Sequence, residues 1–96
     1  MKMLMICCAG SRMEELRTLV EQHGIRGYSE IPAVHGIGHT GRHMGTRAWP
    51  GTCAMLISAV EDAKADELMR AIEAFRSGCR SEEGVRAMLL PVERMV

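Results

Sequence analysis

The sequence predicts a single α+β domain whose four strands and two helices follow the order β-α-β-β-α-β. Three observations lead there. Apolar runs of strand length occupy residues 2–8, 26–35, 52–60 and 85–93. Two further segments repeat apolar residues at helical spacing, one after the first run and one after the third. A chain of 96 residues suits one domain spanning 1–96 and argues against two.

The first run, KMLMICC, has the density of a buried strand. Ser11 followed by Glu14 has the spacing of a capping box, so a helix is expected over residues 12–23. Met13, Leu16, Leu19 and Val20 form its apolar stripe, and Gly24 stands where a left-handed cap is wanted. Residues 26–35 read as a strand, and Pro32 inside it confines that strand to a sheet edge or an irregular end. Residues 36–51 hold five glycines without an apolar period and read as a loop with functional potential. TCAMLISAV, residues 52–60, is the clearest strand. Asp62 or Asp66 is expected to cap a second helix carrying Leu68, Met69, Ile72 and Phe75 on one stripe and stopping near Gly78. The polar turn CRSEEG leads to the last strand, residues 85–93. The simplest closure is a four-stranded antiparallel sheet with both helices on one face, the ferredoxin-like βαββαβ arrangement. It puts the second strand at an edge, in agreement with Pro32.

A sheet covered on one face should alternate apolar and polar residues. These strands are apolar on both sides. The third sets Cys53, Met55, Ile57 and Ala59 against Ala54, Leu56, Ser58 and Val60. The first sets Met3, Met5 and Cys7 against Leu4, Ile6 and Cys8, and the last sets Met88, Leu90 and Val92 against Ala87 and Leu89. Two helices cannot cover both sides, so the uncovered face is expected to bury itself against copies of the chain in a closed, cyclic homo-oligomer.

Twelve basic and twelve acidic side chains balance, so there is no electrostatic footprint for nucleic acid. One Phe, one Trp and one Tyr offer little for stacking on bases. No apolar run approaches the roughly 20 residues of a membrane span. The opening MKMLMICCAG leads straight into a patterned helix and reads as mature structure rather than a leader. Four cysteines in such a chain read as free thiols of a cytoplasmic protein.

Several segments, in order, resemble the PII signal-transduction proteins and their PII-like relatives. GIRGYSEIPAVHGIGHTG, residues 24–41, is similar to the PII second strand and the start of its T-loop, including Gly36 and Gly38. LLPVERMV, residues 89–96, resembles the PVE-containing final strand, and the helix between Asp62 and Gly78 falls at the second-helix position. The resemblance implies a homotrimer with sheets facing inward. It implies small ligands, typically adenine nucleotides, in clefts between subunits, and a T-loop that docks on a partner such as a transporter or an enzyme. The chain departs from PII in its shorter T-loop ending in RAWPG and in CRSEEGVR at the phosphate-binding B-loop, residues 79–86. It also ends at Val96, before the arginine-bearing C-terminal segment, and has the His39–Thr40 pair where PII has a glutamine. It thus looks PII-like rather than a nitrogen-regulatory PII.

Within the loop, Gly36, Gly38 and Gly41 allow backbone N–H groups to approach an anion closely, with His39 and Thr40 between them. Arg42 and Arg47 supply charge there, joined by Arg80 and Arg86 from the B-loop position. The competing reading is an ordinary glycine-rich turn. His35, His39 and His43 recur every four residues, with Cys53 ten further on, and these ligand types suit Cu or Zn. Four-residue spacing aligns ligands only on a helix, which this segment should not be, and exposed loop histidines are the competing reading. Vicinal Cys7 and Cys8 point to opposite faces of a strand and form no ready chelate. No nucleophile–base pair or tuned acid pair stands out, so no enzymatic activity is expected. The expected function is a homotrimeric PII-like sensor acting through residues 36–51; the alternative is a metal-responsive trimer binding Cu or Zn.

Overall fold

The computed structural model describes residues 1–35, 45–46, 49–50, 52–80 and 84–96. Strand β1 (Lys2–Cys8) runs into helix α1 (Gly10–Gln22), followed by β2 (Ser29–His35). Two short strands, β3 (Gly45–Thr46) and β4 (Trp49–Pro50), precede β5 (Thr52–Val60), helix α2 (Asp62–Ser77) and β6 (Arg86–Pro91). The main sheet has the order β2-β5-β1-β6 with every neighbour antiparallel, the ferredoxin-like topology. The β3–β4 pairing is a difference from the expected loop. Its strands are two residues long and carry no Asn-Gly or Asp-Gly signal, so nothing local announced them.

Helix α1 begins two residues earlier than expected. Ala9 is its N-cap, and Arg12 N–H donates to Ala9 O at 2.9 Å. Ser11 and Glu14 therefore fall inside the helix, and no side chain caps it. The tight handover from Cys8 to Gly10 leaves no room for the anticipated capping box. At the other end Gly24 adopts φ +85°. Gly24 N–H donates to Glu21 O at 3.0 Å and Ile25 N–H to Val20 O at 3.1 Å, the pair of bonds of a Schellman motif, with Ile25 buried after the turn. Helix α2 is capped by Glu61 rather than Asp62 or Asp66, again without a side-chain bond. Asp62 is its first residue, where a carboxylate complements the helix dipole. Its own partner is the Met1 amino group at 2.6 Å.

The core lies between the helices and one face of the sheet. Leu4, Ile6 and Cys8 of β1 and Ala54, Leu56 and Val60 of β5 meet Met13, Leu16 and Val20 of α1 and Ala65, Leu68 and Ile72 of α2. Leu19, Met69 and Phe75 pack at its margin. Among the described residues Ser58 is the buried polar one of this face, and its hydroxyl donates to Gly27 O at 2.5 Å. That bond satisfies the hydroxyl where an unpaired one would be costly. Strand β2 sits at the edge, and its register against β5 shifts between Ile31 and Val34. Pro32 lies inside that irregularity, where its missing N–H interrupts no regular ladder.

The two helices are also joined at their surface. His23 Nδ1 donates to Glu67 Oε2 at 2.6 Å, and Lys64 Nζ lies 3.8 Å from the same oxygen. The bond from His23, then the charge of Lys64, holds the Glu67 carboxyl below the usual carboxylate range.

Two outcomes follow for stability. Gly24→Ala forces a Cβ into the left-handed region and lowers the unfolding free energy by about 1–2 kcal/mol, read by urea denaturation. Because the Glu67 pKa is depressed on folding, its stabilisation is complete above its unfolded value of about 4.3 and is lost as pH falls through the lower folded value. Glu67→Gln is therefore less stable than the parent at pH 7, and thermal melts of the two converge on acidification below about pH 4.

Candidate functional site

The sheet face away from the helices is uncovered and apolar. Met3, Met5 and Cys7 of β1 and Met55 and Ile57 of β5 are only half-buried on it. Met88 and Leu90 of β6 are 51% and 37% exposed, and Ile31 of β2 is 41% exposed. The register aligns Met5 with Ile57 and Met88, and Met3 with Leu90, so these side chains form one continuous patch across all four strands. This is the second apolar set read from the alternation.

One end of this face adjoins the segment singled out in the sequence. The last β2–β5 pairs are Val34 with Cys53 and His35 with Thr52, after which β2 leads into residues 36–44. Gly36, Gly38, His39, Thr40, Gly41, Arg42, His43 and Arg47 lie outside the described residues. His35 is exposed at the strand end, whereas Cys53 is buried on the opposite face, because consecutive residues of a strand alternate in direction. These two members of the expected His/Cys set therefore do not converge within one chain. Among the described residues no group of three or more His, Cys, Asp or Glu could hold a metal ion.

Cys53 instead meets Cys7. With Ala9 and Val34 the two make a small apolar cluster apart from the main core. Burial pushes both thiols above the ordinary cysteine value, and the nearness of Cys53 adds to the rise at Cys7. Cys8, the neighbour of Cys7, is buried in the main core, as expected for adjacent strand residues. The alternation placed Cys7 and Cys53 on one face. Their closeness depended on the β1–β5 register, which no local signal supplied.

A second feature was not anticipated. A cavity of about 190 Å³ lies between α2 and the start of β6, lined by apolar Met69, Ile72, Val85 and Ala87 and by charged Glu73, Arg76 and Arg86. It stands beside the segment of residues 79–86, of which 81–83 lie outside the described residues. Arg86 is exposed there and pairs with Cys7 in the register, so it reaches the same end of the sheet as the loop bases. The arrangement sets charged groups beside an apolar wall, a combination suited to an anion with an apolar body.

Among solved structures, the fold is similar to that of CPII, a nitrogen regulatory PII-like protein from Thiomonas intermedia K12. Its apo form aligns with a TM-score of 0.69 and 18% identity over 92% of this chain and 84% of that one. A form bound to ADP, AMP and bicarbonate aligns at 0.71 and 20% identity over 99% of this chain and 94% of that one. A form bound to ADP, AMP and acetate gives 0.67 and 19% identity over 93% and 82%. At such identity the likeness is one of fold. No curated protein matches the chain. The family model described as nitrogen regulatory protein P-II matches residues 1–94. With nearly its whole length covered, the chain belongs to the nitrogen regulatory protein P-II family.

Proposed function

We propose that this protein is a PII-like sensor of the cytoplasm. It assembles as a homotrimer, takes an adenine nucleotide or small anion in clefts between subunits, and regulates a partner such as a transporter or an enzyme through residues 36–51. No catalytic step belongs to this reading. The observation that carries it is the uncovered apolar sheet face in a chain of the P-II family. Met3, Met5, Ile57, Met88 and Leu90 need a cover that two helices on the other side cannot provide. Inward-facing sheets of a cyclic assembly supply it.

Each cleft of such an assembly receives the base of the 36–51 segment, the Arg86 side chain and the cavity beside α2. The apolar wall suits a nucleobase or sugar, and Arg86 suits a phosphate or carboxylate. Gly36, Gly38, His39, Thr40, Gly41, Arg42 and Arg47 complete the proposed ligand contacts from the loop side. The binding of ADP, AMP and bicarbonate by CPII supports the choice of ligand class. A ligand acts on the loop by preferring one of its arrangements, which shifts the population toward it.

Two experiments test the reading. Multi-angle light scattering gives three chain masses for the parent protein. Met88→Glu puts a charge into the contact and yields a folded species of one chain mass, whereas a parent protein that already runs as a monomer overturns the trimer. Calorimetry with ATP, ADP, AMP, cyclic nucleotides and bicarbonate gives saturable heat for at least one of them. Arg86→Ala then weakens that ligand by about tenfold or more, the scale of a lost charged hydrogen bond. Silence with every ligand removes the nucleotide and anion reading.

A further inference from the structure

The open face of the sheet is rich in sulfur. Met3, Met5, Cys7, Cys53, Met55 and Met88 project onto it, at positions where strands ordinarily favour β-branched residues. Cys7 lies directly opposite Met55, and Cys53 is two residues before Met55 on the same strand, so three sulfur side chains converge from two adjacent strands. Cys7 packs against the small cluster formed by Ala9 and Cys53. Cys7 and Met55 retain partial exposure in the single chain, so copper can enter before the face is covered by assembly.

We propose that Cys7, Cys53 and Met55 form a binding site for copper in its monovalent state. Two thiolates and a thioether are soft donors, and soft donors select Cu(I) among the biological metals. The set does not suit Zn(II), whose structural sites are closed by four ligands. On binding, each thiol releases its proton to solvent and Cu(I) joins the two sulfurs, so that Cu⁺ with two neutral thiols gives a bis-thiolate complex of charge −1 and two protons. No electron is transferred. Arg86, opposite Cys7 across the β1–β6 pairing, offers the compensating positive charge. The site shares Cys53 with the His35, His39 and His43 set read from the sequence and uses none of those histidines. It shares Arg86 with the nucleotide reading but takes its donors from sulfur alone, so copper capture and nucleotide binding are read by separate measurements and either can fail without the other.

The position gives the site a consequence. Cys53 is the second residue of β5, and its partner Val34 is the penultimate residue of β2, so the metal sits where both strands meet the 36–51 segment. An ion held there stiffens the base of that segment.

The test is anaerobic titration of the fully reduced protein with Cu(I) against a chromogenic Cu(I) chelator. The expected result is one copper per chain, with a sulfur-only shell in X-ray absorption at the copper edge. Cys7→Ser and Cys53→Ser each lose stoichiometric capture, and Met55→Leu, which preserves volume and apolarity, reduces it. Cys79→Ser, away from the sheet face, leaves it unchanged. Should a cysteine variant misfold, Met55→Leu and the absorption spectrum decide. Copper that never leaves the chelator, a nitrogen-rich shell, or capture undiminished in both folded cysteine variants overturns the site.

Discussion

The structure depends on one mismatch of supply. Four strands expose two faces, and two helices can shelter one. Because strand residues alternate in direction, Leu4, Ile6, Leu56 and Val60 go beneath the helices, and the intervening Met3, Met5, Met55 and Ile57 necessarily face the other way. A face of this composition left in water costs free energy for each apolar group it exposes. Everything proposed for the protein's behaviour, from assembly to the clefts that assembly creates, follows from how that second face is satisfied.

The main elements were legible because long segments carry redundant signals. In α2, Leu68, Met69, Ile72 and Phe75 repeat at helical spacing, and the observed helix runs from Asp62 to Ser77. The two-sided character of β1 and β5 could be read because each has seven or more residues to display its alternation. The ends were less legible. Ser11 and Glu14 have the chemistry of a cap, but the chain leaves β1 so abruptly that Ala9 takes that place. Helix boundaries here are decided by the connection to the preceding strand, which is tertiary information.

The site was legible in part for a similar reason. Glycine and histidine spacing identified the loop as a place of interest. The sequence had no means of saying that β2 and β5 close their ladder with Val34 on Cys53 and His35 on Thr52. That register turns His35 and Cys53 to opposite faces of the sheet, and the β1–β5 register brings Cys53 to the neighbourhood of Cys7. Likewise, Arg86 was legible as a charge near a turn. Its neighbourhood with Met69, Ile72 and Glu73 needed α2 to be laid against β6. Pairings between strands distant in sequence are where composition is silent and folded geometry decides.

The irregularity in β2 has a meaning for how copies of this chain can meet. An edge strand with a clean row of amide donors invites a neighbour to extend the sheet, and successive neighbours can repeat the act without end. Pro32 lacks such a donor, and the slipped register around it breaks the row midway along the edge. Growth into fibrils along this border is thereby discouraged. The flat side of the layer, by contrast, is a surface that can be used up by a finite, self-limiting assembly.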